Sequence, residues 1–204
     1  MKRFIAIAFL GISFGICNSF AQLPSDIKCW NVPDILADSA KTLADKTVVY
    51  DPSYRQIKYP NGDVPKNVGV CTDVVVRAFR KAFDWDLQKS IYEFRKAKKQ
   101  PTNTNIDHRR VVNMMAYFDE VKTLRNDKGG KFRKGNIVIW KLTNCRLHIG
   151  LCVEDDVIIH NICCGQVVEK MYMEELVIRN YTWRCPELEG LTLKEIYEKI
   201  KNDK

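Results

Sequence analysis

Cys71 stands where a loop meets a helix, a position that suits a reactive thiol. The approach, residues 59–69, is broken repeatedly by Gly and Pro. From Val74 to Phe83, apolar residues recur at three- and four-residue intervals, which predicts a helix with one buried face. Free N–H groups and the dipole at a helix N-terminus favour a thiolate, so a nucleophile could be placed here.

Two of the three histidines lie on predicted strands that follow one another in the chain. His148 opens the segment 148–153, and His160 lies near the end of the segment 157–162. Neighbouring antiparallel strands can place such side chains together on one face. An imidazole beside a thiol makes a nucleophile and its general base, and a second polar residue could orient that base. A single histidine is more often structural, so it is the combination with Cys71 that indicates catalysis.

Four blocks follow one another along the chain: GVCTDVV, GNIVIW, HIGLCV and IIHNI. Their order and residues resemble the NlpC-type, papain-like cysteine peptidases that cut bacterial cell-wall peptides. With the further blocks YPNGDVP and NIDHRRV, the chain is more closely similar to the bacterial domain-of-unknown-function family numbered 1287, over roughly residues 40–185. The resemblance implies an α+β, papain-like fold in which helices pack on a small antiparallel sheet.

The resemblance also implies catalytic roles for three residues of these blocks. Cys71 would be the nucleophile, His148 the general base and His160 the residue that orients the base. The substrate would be a peptidoglycan stem peptide, cut at an amide bond by a cysteine peptidase or amidase that uses no metal or organic cofactor. Candidate oxyanion or substrate-binding residues are, in chain order, Tyr59, Asp73, Asp107, His108, Arg109, Arg110 and Asn161.

Several of these candidates have an equally simple structural interpretation. Tyr59 could pack as a loop aromatic instead of holding an oxyanion. The two arginines lie in a predicted first helical turn, where the dipole prefers acids. They could bind substrate carboxylates, or form an internal salt bridge to Asp63 or Asp73. Asp73 could be a first-turn helix acid, and Asp107 could cap the helix that follows it.

Two other classes of protein are considered. A non-catalytic wall-binding module would keep the fold, although such a relative usually loses one of the catalytic residues. A zinc hydrolase would use His108, His148 and His160, but neither HExxH nor CxxC spacing occurs in the sequence.

The elements that must position these residues are predicted from periodicity. Helices are expected at residues 30–45, 71–83, 86–99, 107–124 and 192–201. Short β-branched runs predict strands at residues 136–142, 148–153, 157–162 and 181–184. Asp86 should cap its helix, and a capping box is expected at residues 192–195. The buried faces are predicted to include Val112, Leu193 and Tyr197, and the whole pattern predicts an α+β domain.

The first 21 residues are predicted to be a secretory signal peptide, which leaves residues 22–204 as a single domain of an exported protein, periplasmic or secreted. Loss of Lys2 and Arg3 lowers the formal net charge from +8 to +6. No nucleic-acid partner, lasting membrane insertion or oligomer is expected. The mature chain keeps an odd number of cysteines, so at least one thiol has no partner within the chain, while the pairing of the others stays open.

Overall fold

The computed structural model of the chain describes residues 24, 26–163, 165–171 and 174–202. The α-helices are α1 (Val32–Lys41), α2 (Cys71–Phe83), α3 (Leu87–Ala97), α4 (Val111–Phe118) and α5 (Leu193–Asn202). The strands are β1 (Val49–Tyr50), β2 (Val68–Gly69), β3 (Leu124–Asn126), β4 (Ile137–Lys141), β5 (Leu147–Glu154), β6 (Val157–Asn161), β7 (Gln166–Lys170) and β8 (Val177–Trp183). The predicted α+β class is therefore confirmed. The predicted signal peptide lies outside the described residues.

Six strands form one antiparallel sheet in the order β3-β8-β4-β5-β6-β7. The three strands β5, β6 and β7 are consecutive hairpin partners, so they carry nearby stretches of sequence into neighbouring positions. β1 and β2 form a separate parallel pair that stands just before α2. The sheet thus supplies a platform, and the short pair fixes where α2 begins.

Helix α2 packs at the centre of the core because its apolar face recurs at helical spacing. Val74, Val75, Ala78 and Phe79 of this helix are fully or almost fully buried. They pack with α1 and with the inward residues of β5, among them Ile149. A second, smaller core contains Trp140 and its neighbours Val138, Cys152 and Ile158. Alternate residues of β4 and β5 therefore serve two cores, as the two-residue period of a strand requires.

The helices follow the prediction at α1, α2 and α3, and the Asp86 cap is confirmed because its carboxylate accepts the Lys89 N–H at 3.1 Å. The fourth helix is shorter than predicted. A 3₁₀ turn, Asp107–Arg109, precedes it, and Arg110 has extended backbone angles that interrupt the helical path. The predicted Asp107 cap is therefore wrong, because α4 begins only at Val111.

Two predictions of burial are also wrong. Val112 is 51% exposed, since α4 turns that side outward. In α5 the capping box of Thr192 and Glu195 forms as predicted. Its apolar side chains nevertheless remain open, with Leu193 86% and Tyr197 64% exposed. Amphipathic spacing predicts the helix correctly here but not a partner for its apolar face.

The edge strands were not predicted, since β3 and β7 are short and carry polar or charged residues. The predicted strand at residues 181–184 is the end of β8, which begins earlier, at Val177. Cys29 and Cys185 form a disulfide that joins the start of the described chain to the segment after β8. Cys71, Cys145 and Cys152 are free thiols. No helix among the described residues is long and apolar enough to cross a membrane.

Candidate active site

Cys71 is the first residue of α2, and local contacts fix its position. The parallel pairing of β1 with β2 brings Tyr50 opposite Gly69. The Asp73 carboxylate accepts the backbone N–H of Val70 at 2.7 Å and so closes the first turn of the helix. Cys71 is only 5% exposed, yet it lines a cavity of about 420 Å³. The thiol at the helix start is therefore also at a place where a ligand could bind.

Burial controls the protonation of this thiol. It raises the pKa of Cys71 to about 11, although the backbone N–H of Ile149 and those of Thr72 and Cys71 itself act in the opposite direction. The negative charge of Asp73 adds to the rise. The effect of the helix N-terminus is thus outweighed, and the thiol is protonated at neutral pH.

His148 and His160 lie together as the predicted strands suggested. The Nε2 atom of His148 is 2.7 Å from the Nδ1 atom of His160, and the ring centroids are 4.9 Å apart. His148 is also near the ring of Trp140, its partner across β4 and β5, at 5.4 Å between centroids. Both histidines are buried, so they form a fixed pair rather than two independent surface groups.

Gly150 explains how two bulky rings fit on adjacent strands. A side chain at this position would place its Cβ 3.0 Å from the carbonyl oxygen of Ile159 and 3.3 Å from the Cβ of His160. The ring of Trp140 would lie at 3.4 Å. Glycine in the HIG block therefore provides the room that the histidine pair occupies.

A third residue, Glu169, completes the cluster from β7. Its Oε1 atom is 2.5 Å from the Nε2 atom of His160. In the β6–β7 register His160 faces Val167, which puts Glu169 diagonally across on the same face of the sheet. The sequence analysis missed this residue because it predicted no strand there. The sequence does contain a signal for the β6–β7 hairpin, because the turn residue Gly165 stands between two segments in which apolar and polar residues alternate.

The protonation of both histidines is set mainly by burial. It lowers the pKa of His148 to about 3, and the charge of His160 lowers it further. Burial also lowers the pKa of His160, whereas the Glu169 carboxylate raises it. At neutral pH the two rings are therefore neutral, which leaves each with one N–H donor and one acceptor nitrogen.

The Cys71 thiol contacts the backbone of β5, the strand that carries His148. The Ile149 N–H, which has the largest acidifying effect on Cys71, belongs to the residue after His148. Among the described residues, no hydrogen bond joins the Cys71 thiol directly to the His148 ring. Hydrogen bonds between a nucleophile and its base often form only when a ligand is bound. The relevant observation is therefore that Cys71 contacts Ile149, the residue next to His148.

Arg109 and Asp73 form a buried clamp behind the thiol. The guanidinium contacts the Asp73 carboxylate at 3.0 Å and donates to the carbonyl oxygens of Asp51 and Ser53. Both side chains are under 5% exposed. The internal salt bridge to Asp73, one of the interpretations given for the arginines, is therefore present. The two side chains fix the loop that leads away from β1 against the first turn of α2.

Arg110 and Arg146 line the cavity beside Cys71, and their side chains form no hydrogen bond or ion pair with a described residue. The sequence analysis had named Arg110 but not Arg146. Tyr50 lines the same cavity, where burial raises the pKa of its hydroxyl and the charge of Cys71 raises it further. The cavity therefore combines a thiol, a phenol and two available guanidinium groups.

Three predicted site residues lie elsewhere in the fold. Tyr59 is absent from the cavity lining, which contains Tyr50 instead, and its hydroxyl donates to Glu93 at 3.3 Å. Asp107 accepts the Asn103 N–H at 2.7 Å and so holds a loop. His108 is buried with its Nδ1 atom unpartnered, and burial lowers its pKa to about 4.

The remaining predicted residue, Asn161, connects two strands next to the site. Its amide nitrogen donates to the carbonyl oxygen of Gly69 at 3.4 Å, which ties the end of β6 to the strand before Cys71. No three His, Cys, Asp or Glu side chains of the described chain are grouped closely enough to hold a metal ion. The structure therefore does not bring His108 to the other two histidines, as the zinc hypothesis requires.

Comparison with known proteins relates the chain to a protein family and to a protein of Escherichia coli. A family described as "Domain of unknown function (DUF1287)" matches residues 37–183, a range that contains Cys71, both paired histidines and Glu169. The chain is also 35% identical over 164 residues to "Uncharacterized protein YijF" of Escherichia coli (strain K12). That match covers 72% of this chain and 80% of the relative. Neither description states an activity.

Proposed function

The chain belongs to the DUF1287 family, and we propose that it is a cysteine hydrolase of the papain-like, NlpC type that cleaves an amide bond in cell-wall peptides. One observation carries the proposal. A thiol at a helix start lines a cavity and accepts the N–H of Ile149, the residue that follows one member of a buried histidine pair. The order of these residues along the chain is that of the superfamily, with Cys71 first, then His148, then His160.

The proposed reaction passes through a thioester between Cys71 and the acyl group of the substrate, and His148 accepts and returns one proton in each of its two halves. His148 Nδ1 takes the proton of the Cys71 thiol as sulfur attacks the substrate carbonyl carbon. The tetrahedral intermediate then collapses, the C–N bond breaks, and the same Nδ1 proton passes to the leaving amine. Water next attacks the thioester and gives a proton to His148. The C–S bond breaks, and the released sulfur regains that proton.

The negative oxygen of the tetrahedral intermediate needs donors in the cavity. The backbone N–H of Cys71, in the first turn of α2, has no acceptor within its own helix. The Tyr50 hydroxyl lies in the same cavity and is the aromatic donor that we assign to this role. Because thiol and imidazole are neutral before substrate binds, the proton moves as the carbonyl is attacked.

The two available guanidinium groups favour a substrate with carboxylates. Arg110 and Arg146 are exposed at the cavity that Cys71 lines. Planar guanidinium groups bind carboxylates through paired hydrogen bonds. Cell-wall stem peptides, the substrates of the superfamily that the chain resembles, carry such groups. The Cys29–Cys185 disulfide fits an oxidising compartment, and the proposed export of the protein would deliver it there.

A non-catalytic wall-binding module is the second candidate. It is favoured by the high thiol pKa and by the lack, among the described residues, of a direct hydrogen bond from Cys71 to His148. The two functions separate in one experiment. The mature protein is incubated with purified peptidoglycan, and the released fragments are identified by mass.

Hydrolysis predicts new amino termini in wild type and none with Cys71→Ala. The matched control is Cys145→Ala, which removes an exposed free thiol and should behave as wild type. Binding of both proteins to the wall without released fragments would refute the hydrolase and support the module.

A further inference from the structure

We propose that Glu169 is a positioning residue that selects the ring tautomers of His160 and His148, and so leaves His148 Nδ1 as the basic atom. Its mechanistic use rests on the proposed function, but the tautomer assignment rests only on the hydrogen-bond chain. That chain runs from Glu169 Oε1 to His160 Nε2, at 2.5 Å, and from His160 Nδ1 to His148 Nε2, at 2.7 Å.

The direction of each hydrogen bond follows from what the end group can do. An ionised carboxylate only accepts, so His160 must carry its hydrogen on Nε2. In a neutral ring the other nitrogen, Nδ1, is then an acceptor. His148 must therefore donate from Nε2, and its own Nδ1 keeps a lone pair. This is the atom that can take the proton of the Cys71 thiol.

The histidine pair alone does not enforce this order. If His160 carried its hydrogen on Nδ1, it would donate to His148 Nε2. His148 would then be protonated on Nδ1, and no base would remain for the thiol. The two arrangements use the same His–His contact, so the Glu169 carboxylate is the group that selects one of them. A hydrogen bond to a charged acceptor is about twice as strong as a neutral one. The arrangement in which both rings carry hydrogen on Nε2 is therefore favoured by about tenfold or more.

The placement of Glu169 suits a test by substitution. It lies on β7, the edge strand of the sheet, and its side chain is 45% exposed while His160 is fully buried. Replacing it therefore opens no cavity in the core. Glu154 is the matched control, because it is a similarly exposed glutamate at the end of β5 that pairs with Lys41 instead.

The direct test is ¹⁵N NMR of histidine-labelled protein near pH 7.5, which reports which ring nitrogen carries hydrogen. Wild type and Glu154→Leu should show His148 protonated on Nε2. Glu169→Gln should show this tautomer in a smaller majority, since an amide can present either its oxygen or its NH₂ group to His160. Glu169→Leu should show a mixed population with substantial Nδ1–H. Circular dichroism checks that each variant is folded. An unchanged His148 tautomer in folded Glu169→Leu would overturn the inference.

Peptidoglycan hydrolysis provides the second measurement. Glu169→Leu should lower kcat about twofold with little change in KM, because the productive tautomer falls from about nine-tenths of the population to about half. Glu169→Gln should have a smaller effect on kcat. If wild type releases no fragments, the proposed function fails, whereas the NMR result still decides the tautomer assignment. If Glu169→Leu shifts the tautomer but keeps the wild-type kcat, the positioning role is refuted.

Discussion

Asp73→Asn is expected to destabilise the protein strongly, because it removes one charge of a buried ion pair. The Asp73 carboxylate receives the Val70 N–H and three contacts from the Arg109 guanidinium, all at 2.7–3.3 Å. Its side chain is 3% exposed and that of Arg109 is 4% exposed. The substitution keeps the size of the side chain but leaves the Arg109 charge uncompensated in the interior.

The magnitude follows from that burial. Removing one partner of a buried ion pair costs about 3–5 kcal/mol in the free energy of unfolding. For a protein of this size, that loss corresponds to a decrease in Tm of roughly 10 °C. The matched control is Glu120→Gln, which breaks an exposed pair with Lys98 whose side chains are about half exposed. Exposed pairs contribute about 0–1 kcal/mol.

Urea unfolding followed by circular dichroism measures both variants with the disulfide intact. Val70 and the clamp position the start of α2, so a destabilised Asp73→Asn protein should also lose order at Cys71. The reasoning is refuted if Asp73→Asn and Glu120→Gln lower the free energy of unfolding by the same small amount. In that case the pair would not be excluded from solvent as the structure describes.

Three further predictions concern the site. Gly150→Ala should push the His160 side chain by a few tenths of an ångström and lower wall hydrolysis while the fold is kept; fragment release at the wild-type rate would contradict it. Replacing Arg110 and Arg146 together by Ala should raise KM for peptidoglycan at least about tenfold at low salt, with a smaller effect at about 1 M salt. An unchanged KM would refute the carboxylate-binding role. Stability should fall as the pH is lowered from 6.5 towards 4, because His108 has a folded pKa of about 4 and the unfolded chain binds more protons in that window. His108→Gln should reduce this loss in urea titrations, and identical pH profiles would contradict the assignment.

The sequence predicts most of what depends on local periodicity. Helix α2 begins at Cys71 because the loop before it is rich in turn residues and the apolar spacing starts directly after it. The histidine pair could also be predicted, since consecutive short strands in a meander pair with each other. The distance of 2.7 Å between His148 Nε2 and His160 Nδ1 confirms that the two side chains lie together.

Contacts made by long-range folding could not be predicted in the same way. Tyr50 lies far before Cys71 in the chain and reaches the cavity only because β1 pairs with the two-residue strand β2. Tyr59, which stands nearer in sequence, follows its loop to α3 and packs on Tyr92 with ring centroids 5.1 Å apart. Sequence distance from Cys71 is therefore a poor guide to which tyrosine lines its cavity.

The protonation state of the site is also a property of the tertiary structure. A helix N-terminus favours a thiolate by an amount that is small beside the cost of burying a charge. Cys71 and His148 both lie in the interior, so each is held in its neutral form. A neutral histidine can exist as either of two tautomers. In the mechanism we propose, the choice decides whether a base faces the thiol. The carboxylate of Glu169, on an edge strand that local patterns did not reveal, is the charged group that decides it. In the mechanism we propose, the reactivity of Cys71 thus depends on a residue that only the pairing of β6 with β7 brings into the site.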